Sequence, residues 1–522
     1  MTGRIHLLLY QAARQRPDSP ALIVRDRVTS YRQLAEATAT VAHGLRAVGA
    51  DDGDRVAVIA ANRLETVVSL FAASAANCLA VPINPLLRPA QVAHVLADSG
   101  ARVLVTTRTL WNELVASVES LDGLDTVVVL DGDRASEAAG RATTWDWESL
   151  FETVPSATEP EVCRSAEDAA MIIYTSGSTG RAKGVVLSHR NLLAGATSMN
   201  AYLGHTADDV FLVLLALSFD AGFSQLTATF RCGATAVLSE YLFPAEAVRL
   251  CARYGVSGII GVPALWAGLV DAVWDDTAVR RVRYFGNTGG HLPTRTLQRL
   301  RAIFPRALPY LMYGLTEAFR STYLDPTQVD RRPGSIGKAI PLAEVYVMRP
   351  DGTECEAGEV GELVHAGPLV ALGYWNNPAG TDLRFRPFRR VNGQETIAVW
   401  SGDLVVRDDD GYLTFIARGD EMIKTRGYRV SPSEVEEVVI ATDMVKDAVA
   451  FGYESTDADQ LVGLAVISRP GYSLDPSVLL AQLRRRLPSY MVPTRIMVLA
   501  NLPVSANGKY DRAALRETMD AG

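Results

Sequence analysis

The sequence predicts an α/β protein with a smaller α+β unit at its C-terminal end, and three observations carry that reading. First, 522 residues are about three and a half times a typical domain of roughly 150, so more than one domain is expected. Second, from 55 to about 410 short β-rich runs alternate with helical patterns: RVAVIAA, ETVVSLFAASAA, ARVLVTT, DTVVVL. Strands buried on both faces read as near-continuous apolar runs, which predicts parallel sheet covered by helices. Third, the last hundred or so residues change character. Ser431-Pro432-Ser433-Glu434 reads as a capping box with proline at the first helical position, followed by Val435, Val438 and Val439 on one face. Beyond it come two strand-like runs, VKDAVAFGY and QLVGLAVIS, an amphipathic helix over 477–487 and the strand RIMVLA. The turn signal at 408–411 and the charged stretch after it set the linker at 418–420, giving units 1–418 and 419–522.

Composition narrows the function. Hydrophobic residues are 48% and charged residues 21%, the balance of a globular chain. A net charge of −8 gives no basic footprint for nucleic acid or an anionic membrane. The five cysteines are scattered and never paired as CxxC, which supports neither a disulfide framework nor a zinc ribbon and fits a reducing cytosol. The apolar run near the N-terminus is too short for a secretory signal, and the longest apolar stretch, 210–217, falls far short of the roughly 20 residues a membrane helix needs. A cytoplasmic protein is expected. There is no HExxH and no GxSxG, so a zinc hydrolase and a serine-hydrolase elbow are disfavoured, and His189 reads as structural.

YTSGSTGRAKGVVLSH, following the apolar AAMIIY, is the most informative segment. Glycines interleaved with hydroxyl residues let backbone and side-chain donors wrap phosphate oxygens. Thr175, Ser176, Gly177, Ser178, Thr179, Gly180 and Lys183 are the candidate phosphate contacts. Lys183 is followed by glycine rather than by a magnesium-binding hydroxyl, so this is not a Walker A loop. The string resembles the signature of the adenylate-forming superfamily: acyl-CoA synthetases, luciferases and adenylation domains of nonribosomal peptide synthetases. Four further elements follow in the family's order. YGLTE implies Tyr313 beside adenine and Glu317 on magnesium, with Thr316 and Glu317 serving catalysis. SGDL implies Asp403 on the ribose hydroxyls. ARGD implies Arg418 as a second ribose or phosphate contact and Asp420 as the hinge, and NGK implies Lys509 as the cation bridging substrate carboxylate and α-phosphate. Departures are Arg181-Ala182 before Lys183, Ala417 before Arg418, and Ser401 where threonine is common. The resemblance implies a large N-terminal domain of layered mixed sheets and helices with a small, mobile C-terminal lid. ATP and Mg2+ are the implied cofactors.

The chemistry agrees with the residue types. A carboxylate is a poor acyl donor, and condensing it with ATP to an acyl-AMP creates a leaving group for a later thiol; that step needs an anion cradle, a divalent ion and a cation where charge builds. Phe219-Asp220-Ala221 resembles the element of amino-acid-activating domains whose aspartate pairs with the substrate ammonium. By the same alignment Ser224, Gly261, Gly289, Met312, Arg320 and Ser321 line the acid pocket. Arg320 is unusual there: it binds a second acidic or polar group of the substrate, or it neutralises Asp220 internally. TRGYRVSP stands where many acyl-CoA synthetases have a glycine-rich segment, which looks closer to the peptide-synthetase group. The expectation is therefore an AMP-forming ligase of an amino-bearing acid that loads the phosphopantetheine thiol of a carrier protein in trans. Alternatives left open are an acyl-CoA synthetase for an aryl or fatty acid with CoA as acceptor, luciferase-like oxidation of an adenylate, a phosphotransferase or NTPase, and a non-catalytic member of the fold.

Overall fold

The computed structural model describes residues 3–119, 121–131, 142–152, 165–175, 182–240, 243–390, 392–418, 423–425, 428–454, 460–487, 489, 491–505 and 509–520. Its N-terminal part is built on two large sheets. One, of eight strands among the described residues, has a parallel centre of Leu79–Ile83, Arg55–Ile59, Ala101–Thr106 and Thr126–Val129, the apolar runs expected to be buried. The other, of fourteen strands among the described residues, has a parallel half that runs Leu308–Tyr313, Tyr284–Asn287, Gly258–Gly261, Val210–Val213, Thr235–Leu238, Pro20–Val24. The helix Leu64–Ala75 is buried on nearly every side, as its all-round apolar sequence requires. Phe71 on it meets Phe223 and Phe230 of the helix Asp220–Cys232 at ring separations of 5.5 and 5.4 Å. One core cluster takes side chains from both sheets, including Val56 and Val58 from one and Leu22, Ala236 and Leu238 from the other. The site therefore rests on a continuous, close-packed base.

The C-terminal part matches the element order read from the sequence: Val445–Glu454, Gln460–Ser468, the helix Pro476–Arg486 and the strand Arg495–Val498. Along Val445–Glu454 side chains alternate between two cores. Ala448 and Ala450 face the helices Pro432–Ile440 and Pro476–Arg486, while Val449, Phe451 and Tyr453 face the helix Arg512–Asp520. The capping box does not form. Pro432 does occupy the first helical turn, but the Ser431 hydroxyl donates to the Ile416 carbonyl at 2.8 Å instead of capping. A tertiary acceptor, a strand of the large sheet, has taken the hydroxyl, and the bond ties the two parts together.

Candidate active site

Gly261, Gly289, Met312 and Tyr313 lie at or just beyond the carboxyl ends of the parallel strands Gly258–Gly261, Tyr284–Asn287 and Leu308–Tyr313, the position open α/β sheets offer to ligands. On the nucleotide side, the phosphate segment joins two antiparallel strands, Ala169–Thr175 and Lys183–Ser188, with Thr175 paired to Lys183. Thr175 and Lys183 thus bracket the loop; Ser176, Gly177, Ser178, Thr179 and Gly180 lie outside the described residues. The Lys183 ammonium stands 5.6 Å from the centre of the Tyr374 ring, whose hydroxyl donates to Glu317 at 2.6 Å. Tyr374, which the sequence reading missed, links the loop lysine to the candidate magnesium carboxylate. Among the described residues no group of three or more His, Cys, Asp or Glu side chains could hold a metal ion. A magnesium ion would instead take Glu317 together with phosphate oxygens of the nucleotide, the donor set this ion commonly uses, and the residues present fit it.

Asp403 lies on the strand Glu395–Arg407 and Arg418 ends the neighbouring strand, in direct register. Arg418 Nε donates to Asp403 at 3.1 Å, and the Tyr313 hydroxyl donates to the other carboxylate oxygen. The Tyr313 ring stacks on His365 at 6.2 Å and 18°. Burial drives the His365 imidazole down to about 3, so it is a neutral ring at neutral pH. Tyr313, Asp403 and Arg418 are thus one connected group.

On the acid side, Asp220 opens the helix Asp220–Cys232 and Phe219 precedes it in extended backbone. That start is possible because residue 222 is glycine: a Cβ there would lie 2.1 Å from the Ala216 carbonyl oxygen. Asp220 Oδ1 accepts from Ala221 N–H at 2.8 Å. Burial raises its carboxyl above the usual 3.8, with Arg320, the Ala221 N–H and Lys509 opposing. Arg320 is 5% exposed; its Nη2 donates to Ser224 Oγ at 2.8 Å and its Nη1 lies 3.7 Å from Met312 Sδ. Among the described residues Arg320 and Asp220 make no ion pair within 4.0 Å, with each other or with any third group. Ser224 and Met312, which contact the guanidinium, are buried, as is Ser321. Gly261 ends the strand Gly258–Gly261, and a Cβ on it would sit 2.7 Å from Leu265 and 2.9 Å from Trp266.

Thr316 and Glu317 form a short 3-10 turn that ends on Phe319 at φ 56°, an unusual conformation for a bulky residue. Lys509 arrives from the C-terminal part: its Cε is 3.9 Å from where a Cβ on Gly289 would stand. Asp420, Asn507 and Gly508 lie outside the described residues. His189 begins the helix His189–Leu203, fully buried against Arg4 and Ile5, a structural position.

Residues 9–375 match the family model described as AMP-binding enzyme, and 434–509 match the model of the AMP-binding enzyme C-terminal domain. The chain is 30% identical over 512 residues to tyrocidine synthase 2 of Brevibacillus parabrevis, covering 97% of this chain but 13% of that protein. It is 29% identical to a long-chain-fatty-acid–CoA ligase of Salmonella typhimurium, covering 98% of this chain and 93% of the relative. A solved structure of the O-succinylbenzoate coenzyme A synthetase of Bacillus subtilis, in complex with ATP and magnesium ion, superposes with a TM-score of 0.82 at 26% identity, covering 99% of this chain and all of the other. No helix among the described residues is long and apolar enough to cross a membrane.

Proposed function

The chain belongs to the AMP-binding enzyme family and is an AMP-forming acid ligase, and from that premise we propose that it activates an amino-bearing carboxylic acid and passes the acyl group to a phosphopantetheine thiol of a separate carrier protein. In the first step a carboxylate oxygen attacks the α-phosphorus of ATP and pyrophosphate leaves; in the second the thiol attacks the acyl carbon and AMP leaves. Lys183 and the phosphate loop hold the polyphosphate, Asp403 with Arg418 takes the ribose, and Tyr313 lies against the adenine. A magnesium ion on Glu317 would neutralise charge on the phosphate oxygens. Lys509 supplies the cation between carboxylate and phosphorus. The chain divides at 418/419, with Asp420 as the hinge that carries Lys509 away before the thiol arrives.

The observation that carries the amino-bearing substrate is Asp220, a carboxylate at the site with no cation within ion-pair distance among the described residues, as a receptor for an ammonium would be. Coenzyme A is the second acceptor to test, because the chain spans 93% of a CoA ligase and only 13% of a peptide synthetase. The experiment is exchange of labelled pyrophosphate into ATP across amino, aryl and fatty acids, followed by transfer to CoA and to a phosphopantetheinylated carrier. Exchange strongest with amino acids and transfer to the carrier is the expected result. ADP release without exchange would overturn the adenylation chemistry, and exchange confined to acids without an amino group would overturn the substrate class.

A further inference from the structure

Arg320 and Asp220 carry opposite charges and feel each other electrostatically, yet among the described residues they form no ion pair within 4.0 Å. Arg320 is 5% exposed, and among the described residues its Nε has no hydrogen-bond partner and the guanidinium's polar contacts are neutral: the Ser224 hydroxyl, the Met312 sulfur and the Tyr202 hydroxyl. Burying a guanidinium without a counter-charge in direct contact is costly. The position is also firmly built. The left-handed turn at Phe319 delivers Arg320 inward, Ser321 N–H donates to the Tyr313 carbonyl at 3.2 Å, and Gly314 approaches so closely that a Cβ there would stand 2.9 Å from the Arg320 Cα. Such a charge, held in place and with no anion in direct contact among the described residues, is suited to receive one from a ligand.

We infer that the activated acid carries a second anionic group, a carboxylate in the simplest case, and that Arg320 with Ser224 receives it. This rests on the adenylation reading above and narrows it. The charges then match in sequence: Lys509 faces the carboxylate being activated, Asp220 an ammonium, and Arg320 the distal carboxylate. The class is a short amino-dicarboxylic acid. Arg320 fixes specificity rather than chemistry, since it binds a group that does not react.

The test is pyrophosphate exchange on the full chain with aspartate, glutamate and their next homologue, the corresponding side-chain amides, uncharged isosteres such as norvaline, and the desamino dicarboxylates. Charged hydrogen bonds of this kind predict a preference for the acid over its amide of about 10- to 100-fold in kcat/KM, carried mainly by KM. Arg320→Met should bring the ratio of kcat/KM for acid over amide, read within the variant, to about one, and Arg320→Lys should retain part of the preference. Thermal shift by the dicarboxylate with ATP gives a second readout, lost in Arg320→Met and kept in Arg320→Lys. Equal use of acids and amides by the wild type, or a preference untouched by Arg320→Met, would overturn the inference and leave the adenylation reading standing. Absence of exchange with every acid would overturn both.

Discussion

Lys509 is the one candidate catalytic group that reaches the site from the C-terminal part, and its neighbourhood shows how it is aimed. Its carbonyl accepts from Ser505 N–H at 2.7 Å, and the next residue, Tyr510, donates its hydroxyl to the buried Asp447. Losing one preorganised contact to a developing charge typically costs about 10²–10³ in rate. Lys509→Ala should therefore slow acyl-AMP formation by that factor, while transfer from presynthesised acyl-AMP to the thiol stays nearly intact; equal losses in both half-reactions would contradict this division. In its proposed role Asp220 makes the opposite bargain, trading stability for binding. Its carboxyl is raised by burial, so the folded state holds the proton to higher pH than the unfolded state does. A group shifted this way contributes stability only below its unfolded value, and the contribution is lost as pH rises through the folded value. As pH rises above the ordinary carboxylate range, the buried Asp220 therefore becomes a burden on the fold. Asp220→Asn should raise Tm at neutral pH, with the gain shrinking as pH falls towards the ordinary carboxylate range. Asp220→Ala should weaken use of an amino acid by about 3–5 kcal/mol without harming its desamino analogue, which paired kcat/KM measurements would read.

At the scale of elements, the turn after Thr316–Ala318 depends on a neighbour far away in sequence. Phe319 holds φ 56°, a conformation worth about 1–3 kcal/mol of strain, and its ring fills the space beside Gly195, where a Cβ would come within 2.3 Å. Gly195→Ala should cost about 1–3 kcal/mol by overpacking and, by displacing Phe319, raise KM for the acid more than KM for ATP. None of this was legible in a linear reading. YGLTE, SGDL and NGK could be recognised because each is a short string whose residue types are set by local chemistry, and the C-terminal strands because their apolar runs face two cores. Gly195 and Phe319 meet across 124 positions, and Tyr374 reaches Glu317 only because the strand Gly373–Tyr374 pairs with Lys183–Ser188. Ser431 shows the same limit in reverse: its local pattern asked for a cap, and a tertiary carbonyl took its hydroxyl. Likewise, whether Arg320 neutralised Asp220 depended on a distance that no sequence pattern encodes.

For the molecule as a whole, the arrangement that brings Lys509 to Gly289 is fastened at the periphery. Among the described residues Lys446 pairs with Asp271 at 2.8 Å, His291 with Glu437 at 3.1 Å, and Arg295 with Asp443, all joining the C-terminal part to the large one. Burial works against the Glu437 carboxylate, yet bonds from His291 and Thr294 hold it below its usual range. These side chains are partly exposed, so each pair is worth about 0.2–1 kcal/mol and together they bias rather than lock the arrangement. The variant Asp271→Ala with Glu437→Ala and Asp443→Ala should slow adenylation by up to about tenfold, leave thiol transfer unchanged or faster, and blunt the effect of added salt on the first step; slowing of both half-reactions alike would exclude this role. The fourteen-stranded sheet has a further consequence, in the order of its making. Leu22 near the start of the chain lies in parallel register with Ala236, so the first strand has no partner on that side until more than two hundred further residues have been synthesised. At roughly 5–20 residues per second that is about 10–40 s on the ribosome with an open apolar edge. The nascent chain therefore has to be kept from aggregating by chaperones or by provisional contacts, and ribosome-bound chains ending before Thr235 should be protease-sensitive over Pro20–Val24, where longer chains are protected.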